Sequence, residues 1–179
     1  RAKSRSELFQ LVCAAAATGG KFTSTTIALT KSGSDYLEVV ATGGPSAVSA
    51  RGVRLSVNEA HPEGRGACGT AFRSGVACII NDYLADPRCQ AFHAQARKDG
   101  TKSGASFPLF ARGQVVGMLV FVATEKDTFT PEFAELLQRL ADNVSFALEN
   151  FARVDEKAQA AAIARPVGED MPQMAIAIC

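Results

Sequence analysis

Cysteine thiols are the most reactive groups in this chain, and their spacing limits what they can do. They stand at 13, 68, 78, 89 and 179, an odd number with no Cys-x-x-Cys pair. That pattern predicts free thiols in a reducing compartment, and neither a disulfide framework nor a structural zinc site. No Ser-His-Asp set, phosphate loop or metal-spaced His/Cys cluster accompanies them. Scattered cations such as Lys98, Lys102, Arg112 and Lys126 read as a solvated rim.

The elements that must position these groups can be read in order. Ser4-Arg5-Ser6-Glu7 predicts a capped helix start, and Leu8, Leu11, Val12 and Ala15 recur at helical spacing until Gly19-Gly20. Residues 22–29 alternate as a strand, 31–35 carry a turn signal, and 36–42 return. Residues 51–57 predict a third strand, with Val53, Leu55 and Val57 on one side. A glycine-rich loop over 61–69, at most two helical turns and a buried strand at 76–80 follow. Asp86-Pro87 opens a helix reaching Lys98, with Asp99-Gly100 as its stop. Strands 103–111 and 114–123 flank Arg112-Gly113 as a hairpin. The second of them is apolar on both faces, which marks a covered central strand.

Thr130-Pro131-Glu132 starts the last helix. Leu137, Leu140, Val144, Ala147, Phe151, Val154, Ala158 and Ala161 then form a heptad seam. The first half of that seam has the sheet to pack on; beyond about Glu149 a helix from a second copy is the expected cover. Arg165-Pro166 ends the helix, and 171–179 reads as a loose tail or a brief strand.

The totals agree with one domain and its extension. The chain has 179 residues, 47% hydrophobic and 21% charged, with 19 Lys and Arg against 18 Asp and Glu. A net charge of +1 leaves no field for nucleic acid or an anionic membrane, and no apolar run approaches the roughly 20 residues of a bilayer crossing. The expected partners therefore include no nucleic acid and, in this segment, no membrane. The start at Arg1, with no Met and no signal pattern, predicts a segment of something longer. The element order predicts an α+β fold: one antiparallel sheet of about six strands, terminal helices on one face, loops and the short helix on the other. The expected domain is 1–155, with 156–179 as helix extension and tail.

Taken together, Gly66-x-x-Gly69-x-Ala71, Asn81-Asp82-Tyr83, Asp86-Pro87-Arg88, the strand ending in Pro108-Leu109, Val116-Gly117-x-Leu119 and the 136–148 helix resemble a GAF domain. The resemblance spans roughly residues 6–154, and is closest to GAF domains attached to bacterial diguanylate cyclases and cyclic-di-GMP phosphodiesterases. It implies the profilin-like, PAS-like sheet. It further implies a cytoplasmic, bacterial sensory module that is not itself an enzyme, binds an unidentified small molecule and forms a homodimer through its first and last helices.

The resemblance also implies a ligand site between the sheet and its covering loops, walled by Cys68 and Phe72, Asp82 and Tyr83, Phe92 and His93, and Ser103 with Ala105. There Asp82 would accept hydrogen bonds from a ligand amine or ring N–H, or instead cap the turn before the short helix. His93 is either a haem ligand or a hydrogen-bonded structural residue. The cofactor stays unknown. Bilin attachment in this family uses a Cys followed by His, absent here. The cyclic-nucleotide motif needs Asp-Glu four and five residues beyond a Phe, and at those positions after Phe129 stand Phe133 and Ala134.

Two alternatives stand beside the sensor. Gly66-Ala67-Cys68-Gly69 resembles the Gly-Val-Cys-Gly of free methionine-(R)-sulfoxide reductase, a GAF enzyme working through thiolates. That family's catalytic Cys would fall near Arg97, and Cys89 lies about two helical turns earlier. A GAF fold used only as a dimerisation scaffold, its cavity filled by Phe72, Phe92 and Phe107, is the other.

Overall fold

A computed structural model of the chain describes residues 4–19 and 22–165. Helix α1 (Arg5–Gly19) starts where Ser4 Oγ accepts the Glu7 N–H at 3.2 Å. Its buried residues are Phe9 and Cys13. Leu8 and Val12 are half-buried, whereas Leu11 and Ala15 face solvent, so the apolar stripe is rotated from the expected one.

Strands β1 (Phe22–Leu29) and β2 (Glu38–Gly43) form the first hairpin, with a bulge at Ile27/Ala28. The third strand expected at 51–57 is not one. Ser46 and Gly44 carbonyls hold a short helix, α2 (Ala47–Arg51). The residues after it meet the segment before β2 through an isolated Tyr36–Ser56 bridge, with Leu37 N–H donating to Leu55 O at 2.9 Å and Val57 N–H to Asp35 O at 2.8 Å. The alternation expected there survives as burial of Leu55 with Arg54 exposed, without a ladder.

A 3₁₀ turn (Pro62–Arg65) leads into α3 (Ala67–Ser74), and β3 is the short run Cys78–Ile80. The expected 86–98 helix is two pieces, a 3₁₀ turn (Pro87–Phe92) capped by Asp86 and then α4 (His93–Asp99). Strands β4 (Ser103–Ala111) and β5 (Gln114–Ala123) make the second hairpin. Arg112 and Gly113 both have positive φ, the type I′ geometry that matches strand twist. Helix α5 (Pro131–Ile163) is capped by Thr130, whose Oγ1 accepts from Phe133 N–H, and runs about 50 Å.

The sheet order is β2-β1-β5-β4-β3, antiparallel throughout, so five strands stand where about six were expected. Because strand side chains alternate, β4 and β5 build two cores. Phe107, Leu109, Leu119 and Phe121 pack with Phe9 and Cys13 of α1 and Leu137, Ala141, Val144 and Leu148 of α5. On the opposite face Ala28 and Met118 pack with Leu37, Leu55, Ala71 and three thiols, Cys68, Cys78 and Cys89. Residues 166–179, including the tail and Cys179, lie outside the described residues. Among the described residues no helix is long and apolar enough to cross a membrane.

Candidate functional site

A cavity of about 100 Å³ lies over the loop-side face of the sheet. Its floor follows from strand register. Thr26, Val120 and Ser106 stand side by side across β1, β5 and β4, and Ser24, Val122 and Gly104 form the next row. Residues two apart on a strand share a face, so all six belong to one patch: two valines flanked by hydroxyls.

Two glycines admit the aromatic walls. A side chain on Gly104 would start 3.3 Å from the Tyr83 ring, and one on Gly66 would meet the Phe92 ring at 2.7 Å. Tyr83 and Phe92 therefore lie directly against backbone. Gln95, Ala96 and Asp99 of α4 form a further wall, joined by Ser46 and Ala50 beside and within α2. Asp99 accepts from Gln95 Nε2 at 2.8 Å and from Ser49 Oγ at 3.2 Å, the latter bond linking α4 to α2.

Four of the residues the sequence singled out border this cavity: Cys68, Tyr83, Phe92 and Ala105, the last belonging to the helix-side core. The other four lie elsewhere. Phe72 packs against the loop-side core. Asp82 pairs with Lys126 Nζ at 2.6 Å, and the capping role belongs to Asp86, which accepts the Arg88 N–H at 2.9 Å. His93 Nε2 lies 3.1 Å from Tyr83 O and 3.2 Å from Asp86 O. A carbonyl can only accept, so that nitrogen carries hydrogen and moors the short helix to the preceding turn. Ser103, fully buried, donates to Glu125 O at 2.6 Å and ties β4 to the loop after β5.

Ser24, Thr26, Ser106, Gln95 and Asp99 escaped the sequence reading. Ser106 had a signal, a hydroxyl inside an otherwise apolar strand. Asp99, next to glycine, reads only as a helix stop.

Burial favours the protonated form of the three loop-side thiols. Burial pushes Cys68 up to about 12, with Cys78 nearby adding to it, and burial pushes Cys89 up to about 11. Cys78 is also raised by burial, against the opposing pull of Arg88, whose Nη1 lies 3.8 Å from its Sγ. The Tyr83 hydroxyl, bonded with Cys89, is held well above its ordinary value, chiefly by burial. Among the described residues no group of His, Cys, Asp and Glu could hold a metal ion.

The family model described as GAF domain matches residues 2–149. The chain belongs to the GAF domain family. No curated protein matches it. Among solved structures, this GAF domain is similar to free methionine-R-sulfoxide reductase from Neisseria meningitidis in complex with its substrate, at 22% identity and TM-score 0.68, covering 83% of this chain and 81% of that one. The GAF domain of a phosphoenolpyruvate-protein phosphotransferase from Coxiella burnetii matches at 17% identity and TM-score 0.71, covering 87% and 88%. The blue-light absorbing form of the Thermosynechococcus elongatus PixJ GAF domain matches at 16% identity and TM-score 0.71, covering 90% and 95%. At these identities the likeness is one of fold.

Proposed function

We propose that this GAF domain is the sensory module of a bacterial signalling protein, taking a compact small molecule into the cavity and relaying its presence through α5 in a homodimer. The observation that carries the proposal is the cavity itself: α2, the start of α3, Tyr83, Phe92 and α4 cover the sheet and leave about 100 Å³ above a hydroxyl-lined floor. Of the three phenylalanines expected to fill it, Phe107 belongs to the helix-side core, Phe72 packs against the loop-side core, and Phe92 stands at the wall beside Tyr83. A volume of that size suits a compact molecule.

The floor strands are fastened to the output helix. Phe110 N–H donates to Ser145 Oγ at 3.0 Å and Arg112 N–H to Glu149 Oε2 at 2.6 Å, while the Arg112 guanidinium pairs with Glu156. A shift of β4 and β5 under a ligand thus moves α5. Val154 and Ile163 of α5 are 63% and 86% exposed, and Leu11 of α1 is 55% exposed, apolar surface that a second copy would cover. Neighbours such as the PixJ GAF domain and a methyl-accepting chemotaxis protein support a signalling context. The proposed effector is a diguanylate cyclase, phosphodiesterase or kinase.

Native mass spectrometry of freshly purified protein tests the sensor reading. The expected spectrum contains an adduct that leaves on denaturation. A bare mass, together with no thermal stabilisation by any of a library of small metabolites, would favour the scaffold instead.

The thiol-enzyme reading has the Neisseria fold likeness and Gly66-Ala67-Cys68-Gly69 behind it. Against it stand a Cys68 thiol held protonated by burial and an exposed Arg97 at the expected nucleophile position. Incubation with free methionine sulfoxide and a thiol reductant is expected to give no turnover; turnover lost in Cys68→Ser would reverse the preference.

A further inference from the structure

Charge inside the cavity is one-sided. Of the described residues lining it, Asp99 alone is formally charged, and no described Lys, Arg or His borders the space. Both carboxylate oxygens of Asp99 accept hydrogen bonds, yet both donors, Ser49 and Gln95, are neutral. None of the ion pairs among the described residues involves it. A carboxylate at the edge of a confined, largely apolar space is stabilised most by a cation that enters that space.

The floor adds a second observation. Ser24, Thr26 and Ser106 are 5%, 5% and 1% exposed, and their hydroxyls make no hydrogen bond to any described residue. Hydroxyls in that position accept N–H as readily as they donate. The Tyr83 and Phe92 rings complete the surroundings, and aromatic faces attract cations.

Resting on the reading of this cavity as the ligand site, we propose that it selects compact organic cations, small protonated amines, with Asp99 as their counter-charge and the Ser24, Thr26 and Ser106 hydroxyls as secondary acceptors. A zwitterionic amino acid would bring a carboxylate for which the described lining offers no cationic partner. An anion would meet Asp99 with the same sign.

Methyl NMR of Val120 and Val122 tests this with four probes of similar size: ethanolamine, ethylene glycol, glycine and acetate. Ethanolamine is expected to shift both valines saturably, and each of the other three to bind about tenfold more weakly or worse, the scale of one charged hydrogen bond. Asp99→Asn should reduce ethanolamine to the level of ethylene glycol. Ser49→Ala, which removes a neutral donor and keeps the carboxylate, should preserve the preference; retained methyl dispersion verifies the fold of both variants. Glycine or acetate binding as tightly as ethanolamine, or ethanolamine binding unchanged in Asp99→Asn, overturns the charge assignment and leaves the cavity as a ligand site. No shift with any probe overturns both.

Discussion

Cys68 sits in the motif that most suggests an enzyme, and burial holds its thiol protonated. With the folded pKa near 12 and an ordinary value of 9.0, the folded state holds the thiol proton more tightly than the unfolded chain does. The resulting stability is fully present below about pH 9 and is lost as pH rises toward 12. Denaturant midpoints measured across that range should fall, and fall less in Cys68→Ala. Iodoacetamide at about pH 8 should leave Cys68 and Cys89 unmodified in the native protein and alkylate both once it is unfolded; rapid native labelling would restore the thiol-enzyme reading.

The glycines beside Cys68 answer to space. A Cβ on Gly69 would stand 2.1 Å from Gly64 O and 2.8 Å from Ser56 O, both backbone atoms. Gly69→Ala should therefore cost about 3 kcal/mol, the upper part of the overpacking range, read from chemical denaturation. Loss of the Asp86 cap in Asp86→Ala should cost about 1 kcal/mol.

Among elements, α5 is fastened to β4 and to the β4–β5 turn. Its inner half is buried against β4, with Leu137, Val144 and Leu148 in the core, and its seam becomes exposed from Val154 onward. Sedimentation of a Phe151→Glu, Val154→Glu variant should show a shift from dimer toward monomer with unchanged helicity. An unaltered dimer would place the interface elsewhere.

Elements were legible in the sequence wherever a hydrophobic period ran unbroken. The β4–β5 hairpin announced itself through an apolar strand and Arg112-Gly113, and α5 through its cap and seam. Residues 46–51 were not legible, because Ser, Ala and Val at that spacing suit a short helix or a strand about equally and tertiary contacts choose. The same limit hid half of the cavity. Ser24 and Ser106 share a floor only because β5 inserts between β1 and β4, a neighbourhood that no local pattern encodes. Asp99 faces Ser49 across fifty residues of chain, so its role appears only once α2 and α4 are folded onto the same sheet.

At the scale of the whole molecule, one sheet separates two different interiors. The helix side is tightly aromatic, with Phe107 and Phe121 edge to face at 5.8 Å, and Phe121→Ala should cost about 3–5 kcal/mol in unfolding free energy. The loop side is lined by thiols and hydroxyls and retains a void. A dense core facing a hollow one, joined by strands that are tied to a long helix, is an arrangement in which a small guest can bias the position of that helix. A crystal structure of freshly purified protein, followed by a soak in ethanolamine, tests this most directly. A sensor predicts non-protein density between Val120, Val122 and Phe92, native or soaked; Tyr83 and Phe92 turned inward, with α2 and α4 packed solid on the sheet, would contradict it.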